Sequence, residues 1–271
     1  TIPYQYMPIA IPMIMAGSCI VFFGDNMPRK IERIIAGHAT ASENLVKSFV
    51  EEYFISPVTP TVQTHQNAFS KALGLDHQQM AGRNILLEFD PASNYEEAIR
   101  NFATEALANF EPTVVFTRTG SAIHSSLKEY KAAKFFCLTQ RVSVPTEFSE
   151  NEMLLPFKDT SLMLDVFDKT LKVHPEANIN VVFDNLSDLV FAIGFEKTYR
   201  FVRYTIEMES PRATVLFLLN QTAHNPKVKS SLSNLFSDQI SFGKEGIQPV
   251  KLSAHALGDV PHALSYGVDS R

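Results

Sequence analysis

Cysteine is scarce in this chain, and basic residues are not in excess. The 271 residues hold two cysteines, Cys19 and Cys137, far apart in sequence and without a companion. That excludes a disulfide framework or a cysteine zinc site and suits a reducing compartment. Lys and Arg number 24 against 29 Asp and Glu, for a formal net charge of −5. With no surplus of cations to neutralise phosphates, general nucleic-acid binding is disfavoured. The familiar catalytic signatures are missing too: there is no G-x-S-x-G, no H-E-x-x-H and no G-x-G-x-x-G after a strand. The eight histidines are dispersed. Glu51/Glu52 and Glu96/Glu97 are adjacent pairs, so each points to different faces of a helix and makes no acid/base dyad.

What is present reads as a folded protein. Hydrophobic residues make up 45% and charged residues 20%, which is ordinary for a globular chain. The length fits one large α/β domain with roughly seventy N-terminal residues besides. Residues 7–24 (MPIAIPMIMAGSCIVFFG) carry no charge, with Tyr4 and Tyr6 before them and Arg29, Lys30 and Arg33 after. Such a run reaches the length of a membrane span, and its flanks place the C-terminal bulk in the cytoplasm, so a membrane-associated protein with a cytoplasmic α/β domain is the favoured expectation. The alternative is a cytoplasmic, soluble protein with a Pro-rich arm (Pro3, Pro8, Pro12) leading into a buried strand over residues 18–23. A helix follows Asn26, and a second begins at Ser42 with Leu45, Phe49 and Phe54 on its apolar stripe. His38 and His65 read as solvent-facing or capping residues. The proline-bearing segment 56–66 is the clearest boundary. The expected division is 1–25 anchor or arm, 26–66 helical segment and linker, 67–253 α/β domain, and 254–271 irregular tail.

From about Asn67 strands and helices alternate. Strands are expected at 85–87, 113–117, 134–139, 178–183 and 213–219, with helices at 95–108, 161–172 and 194–209. Short antiparallel strands at 240–242 and 249–252 are expected to close the sheet. Near-continuous apolar strands between amphipathic helices predict a mostly parallel sheet covered on both faces.

Three stretches then carry a family resemblance. Gly74-Leu75-Asp76, Met80-Ala81-Gly82-Arg83-Asn84 and Ile85-Leu86-Leu87-Glu88 resemble the entry to the ATPase core of the RecA/KaiC-like P-loop family. Asn180-Val181-Val182-Phe183-Asp184 resembles its Walker B strand, and Phe217-Leu218-Leu219-Asn220-Gln221 a later strand ending in a polar sensor residue. The resemblance covers roughly residues 68 to 253. It implies a RecA-like sheet with a nucleotide pocket at the loop after the first strand, with Asp184 holding magnesium if Mg-ATP binds.

The loop itself departs from that pattern. It reads Phe89-Asp90-Pro91-Ala92-Ser93-Asn94-Tyr95-Glu96, without the glycines that turn backbone N–H groups toward phosphate. On the family pattern Tyr95 falls at the lysine position and Glu96 at the magnesium hydroxyl. A carboxylate ~4 Å from a phosphate charge costs on the order of 4 kcal/mol at an effective dielectric near 20, which bears on both Asp90 and Glu96. No glutamate follows the second strand, where Thr117-Arg118-Thr119 stands. The expectation is therefore a non-catalytic, membrane-tethered RecA/KaiC-like module of signalling, regulatory or scaffolding type, of a kind known in archaeal signalling. It would bind no cofactor and would work through a protein partner or self-association. The alternative is a nucleotide-binding protein or ATPase with a divergent pocket, using Mg-ATP. The residues of that degenerate pocket are Asp90, Ser93, Asn94, Tyr95, Glu96, Arg118, Asp184 and Gln221, with His124 expected on the same edge. Ordinary structural roles are open beside this: Asp184 as a cap, Gln221 as a loop bond, and Asn94 with Glu96 and Glu97 as a helix start.

Overall fold

The structure, a computed structural model, describes residues 41–51, 67–173, 177–208 and 211–254. The expectations for residues 7–24, for the helix after Asn26, for the segment 56–66 and for the tail beyond 254 lie outside the described residues. Among the described residues no helix is long and apolar enough to cross a membrane.

Residues 41–51 are helical (α1). The chain then runs α2 (Ala68–Ala72), a 3-10 turn (His77–Met80), β1 (Asn84–Phe89), α3 (Glu96–Ala108), β2 (Thr113–Arg118), α4 (Ala122–Leu127) and β3 (Ala133–Thr139). A hairpin, β4 (Thr146–Ser149) and β5 (Glu152–Pro156), leads into α5 (Thr160–Val173) and β6 (Ile179–Phe183). The last elements are α6 (Leu186–Ile193), α7 (Phe195–Glu207), β7 (Ala213–Asn220), α8 (Pro226–Ser233), β8 (Asp238–Gly243) and β9 (Gly246–Lys251).

All nine strands form one sheet in the order β4-β5-β3-β2-β6-β7-β1-β8-β9. Only β4 and β9, at the two edges, run antiparallel to their neighbours. The mixed α/β fold with a mostly parallel sheet is thus present. One detail differs from the sequence reading: β8 is parallel to β1, and only β9 turns back against it. The central strands are apolar on both faces because helices cover both. Leu86, Phe116, Phe183 and Phe217 join α1, α5, α6, α7 and α8 in one core, while Ile85, Leu87, Val115 and Leu216 join α2, α3 and α4 in the other. Val46, Phe49 and Val50 of α1 are buried in the first of these.

That first core is built on a row of phenylalanines at matched register. Phe136 pairs with Phe116, Phe116 with Phe183, and Phe183 with Phe217 across β3, β2, β6 and β7. Their stacked rings lie 5.1, 4.5 and 4.9 Å apart. Parallel strands at equal register put like residues side by side, and each ring pair adds about 0.5–1.5 kcal/mol beyond its burial.

The amino ends of the strands are strapped by ions. Arg83, just before β1, donates through an Nη nitrogen to Asp238, the first residue of β8, at 2.7 Å, and both side chains are buried. Ser253 also donates to Asp238 from its backbone and its hydroxyl. Gly82, just before Arg83, lies close against the Pro211 backbone. Its φ is +77°, and a Cβ there would lie 2.8 Å from the Pro211 carbonyl oxygen.

Candidate functional site

In an open parallel sheet the helices that follow each strand leave a crevice beyond the carboxyl ends. Here β1, β7, β6 and β2 are neighbours, so the segments after Phe89, Asn220, Phe183 and Arg118 share one edge. The backbone N–H of Gln221 donates to the Phe89 carbonyl at 3.0 Å, which ties the end of β7 to the start of the loop after β1.

That loop is closed on itself. The Asp90 carboxylate accepts from the Ala92 N–H at 2.9 Å, and the Asp90 carbonyl accepts from the N–H and hydroxyl of Ser93 at 2.9 and 2.6 Å. Pro91 has no N–H to offer. The three residues that would have to face an anion therefore have their donors engaged or lack one. Asp90 is anchored in turn, donating its own N–H to the Phe242 carbonyl at 3.0 Å.

Tyr95 comes next, in helical conformation at the position just before α3. Its half-buried ring stacks on Phe89 with centroids 4.0 Å apart. Burial pushes the phenol well above its ordinary pKa, and the charges of Asp184, Glu96 and Asp188 push the same way, with Arg118 opposing them. The hydroxyl is therefore neutral at any physiological pH. Asn94 does not cap α3; its side-chain amide donates to Glu97 at 3.2 Å. Glu96 and Glu97 occupy the first turn of α3, where the helix dipole favours them.

Asp184 is 5% exposed. It accepts from the Thr117 hydroxyl at 2.6 Å and from the Ser121 hydroxyl at 3.0 Å. Burial raises its carboxyl above the usual range; the two hydroxyl bonds pull it back only in part, and Asp188 adds to the rise. The cap of α6 is its neighbour Asn185, which accepts from the Asp188 N–H at 2.9 Å. Asp184 thus links β6 to β2 and to the start of α4. Arg118 forms an ion pair with Asp188, its Nε 2.7 Å from a carboxylate oxygen. Ser187, in the first turn of α6, accepts from the Asn220 N–H at 3.1 Å.

Sequence reasoning missed two clusters because their members come from separate elements. His77 Nδ1 lies 2.8 Å from Glu105, and its Nε2 lies 3.0 Å from Glu111 without the alignment of a hydrogen bond. Glu105 also accepts from the N–H groups of Phe69 and Ser70, capping α2 at a distance of 35 residues in sequence. Glu111 accepts from Asn178 and Asn180. The second cluster is His124, Cys137 and Glu152, from α4, β3 and β5, whose ligand-type atoms lie within 4.8 Å of one another. His124 therefore turns toward Cys137 and Glu152, with its ring edge-on to Phe135. Burial pushes the Cys137 thiol up to about 12, with Glu152 adding to the effect.

Fold and crevice together define an α/β protein of the open, mostly parallel kind. No protein-family profile and no curated protein matches the sequence. Among solved structures the chain is similar to one described as "Structural study of Project ID PH0250 from Pyrococcus horikoshii OT3". The TM-score is 0.46 at 10% identity, over 64% of this chain and 87% of that one.

Proposed function

We propose that the chain is a non-catalytic RecA/KaiC-like module that acts as a regulatory, signalling or scaffolding protein, through a protein partner or through self-association. The observation that carries this reading is the closed turn at Asp90–Ser93 with Tyr95 stacked behind it. A phosphate-binding turn works by leaving consecutive N–H groups free, and this one directs its donors inward to Asp90. The resemblance of the Ile85–Glu88, Asn180–Asp184 and Phe217–Gln221 stretches to the family supports the scaffold half of the proposal. The replaced loop supports the non-catalytic half. The divergent-ATPase alternative draws less support. Its magnesium candidate Asp184 is buried on two hydroxyls, and its phosphate candidate Arg118 is paired with Asp188.

A thermal-shift titration with Mg-ATP and Mg-ADP tests the reading. The expected result is an unchanged Tm at millimolar nucleotide. A ligand at 100 times its Kd adds about 2.7 kcal/mol, so a clear rise would overturn the non-catalytic reading in favour of a nucleotide site. Sedimentation velocity over a concentration series tests self-association. The tether proposed for residues 7–24 is tested by a carbonate wash: full-length chain is expected in the membrane pellet, and recovery in the supernatant refutes the tether.

A further inference from the structure

We propose that His124, Cys137 and Glu152 form a site for a borderline-soft divalent transition metal, Zn²⁺ in the first instance. It lies on the face of the sheet covered by α4 and is distinct from the closed loop at Asp90. The three donors come from three elements whose relative positions are fixed by the fold. Cys137 projects from the fifth position of β3, beside β5, which begins with Glu152. The residues flanking His124 in α4, Ile123 and Leu127, are packed into the same core as Cys137. All three ligand-type atoms lie within 4.8 Å of one another, and His124 Nε2 is 3.3 Å from Glu152 Oε1. Zinc bonds of 2.0–2.3 Å at tetrahedral angles put donor atoms roughly 3.3–3.8 Å apart, so metal entry asks for a contraction of no more than about 1.5 Å.

A second observation points to a missing ligand. His124 is 8% exposed, and its Nε2, although 3.3 Å from a Glu152 carboxylate oxygen, makes no aligned hydrogen bond. Buried polar atoms are nearly always paired, and leaving one unpaired costs about 1–3 kcal/mol. A metal satisfies that nitrogen. The donor set chooses the metal: a sulfur, an imidazole and one carboxylate suit zinc, whereas magnesium and calcium select oxygen. Three protein ligands leave a fourth position for water or an incoming donor. Glu152, with 18% of its side chain exposed, marks the approach. The expectation that two lone cysteines exclude a cysteine zinc site applies to paired-cysteine spacing, and this site departs from it by needing only Cys137.

Loading has a structural consequence. His124 Nδ1 accepts from the Gly120 N–H at 3.3 Å, whereas ligation through Nε2 leaves the ring proton on Nδ1. The Gly120 contact must then be exchanged for another. The same turn carries Ser121, which bonds Asp184, so metal occupancy is felt at the carboxyl ends of β2 and β6.

The test uses the full chain stripped with a chelator, then titrated with Zn²⁺ against a chromophoric competitor and, separately, with Co²⁺. One equivalent of tightly held Zn²⁺ is expected. Co²⁺ should give a thiolate charge-transfer band with the visible bands of a tetrahedral ion. Cys137→Ser should abolish the charge-transfer band, and His124→Gln and Glu152→Gln should each weaken Zn²⁺ by about tenfold or more. Cys19→Ser should change neither readout. The proposal fails if the stripped chain takes up no Zn²⁺. It fails equally if Cys19→Ser removes the cobalt band, or if a Glu152→Gln protein with unchanged circular dichroism binds Zn²⁺ as the parent does. Glu152 is partly exposed, so its variant reads out the site even if Cys137→Ser does not fold.

Discussion

His77 offers the most quantitative check on this structure. Its imidazole sits between Glu105 and Glu111, with 13% of the side chain exposed, and those partners raise its pKa from 6.5 to about 9. The Glu105 carboxylate, which accepts from Nδ1, is the largest cause and the Glu111 carboxylate beside Nε2 the next, with burial opposing both. A raised histidine pKa means that the folded state holds a proton the unfolded chain has released. Between pH 6.5 and about 9 the native state therefore binds more protons, and stability must fall as pH rises, by up to about 1.4 kcal/mol per pH unit. The contribution is complete below pH 6.5 and gone above about 9, and it amounts to roughly 3 kcal/mol. On the acid side burial raises both carboxyls, but the bonds from His77 and from Ser70 or the two asparagines outweigh it, and each ends below its usual range. Their share is present above the ordinary glutamate pKa and lost as pH falls through the lowered values. His77→Gln keeps a polar side chain and removes the charge. Urea denaturation midpoints at pH 6, 7.5 and 9.5 should show the variant weaker by about 3 kcal/mol at pH 6, with the gap nearly closed at pH 9.5. A gap that stays the same across that range would refute the paired imidazolium.

Asp238→Ala should be far costlier than a surface change, because it strands a buried Arg83 guanidinium; about 3–5 kcal/mol is expected from the urea midpoint. Gly82→Ala should lower Tm through both its positive φ and the 2.8 Å approach to the Pro211 carbonyl, at a cost of about 1–3 kcal/mol. Phe183→Ala removes the ring that stacks on both Phe116 and Phe217, and about 3–5 kcal/mol is expected.

The parallel strands were legible because each is an apolar run with little interruption. TVVFT, KFFCLT, NINVVF and ATVLFLL could be placed from burial on two faces alone, and β2, β3, β6 and β7 fall where those runs do. The β4–β5 hairpin was not legible. All of β4 is exposed, and β5 offers only the short apolar run Met153–Leu155 with alternating burial. Helix α6 was hidden for the opposite reason. Its residues are apolar nearly throughout, and only Gly194, at φ +87°, separates it from α7. The lack of glycine in the loop at Asp90 was legible, but its closure was not, because an aspartate can serve its own backbone or point outward. His77 with Glu111 and Arg83 with Asp238 depend on contacts across the sheet. Residues 155 positions apart leave no local pattern to read.

The two ends of the sheet are built on different principles. At the amino ends, buried charges of opposite sign meet in pairs that cross several elements: Arg83 with Asp238, and His77 with Glu105 and Glu111. Such pairs are destabilising when one partner is removed, so they tolerate little change. At the carboxyl ends hydrogen bonds, a ring stack and an ion pair near solvent hold the loops. Asp90 serves its own turn, Tyr95 leans on Phe89, Asp184 rests on two hydroxyls, and Arg118 meets Asp188 near solvent. Loops held by local bonds can change sequence without unseating the sheet. A sheet strapped at one end by buried ion pairs can vary such a turn at the other, because the side-chain bonds of that turn stay within Asp90–Ser93.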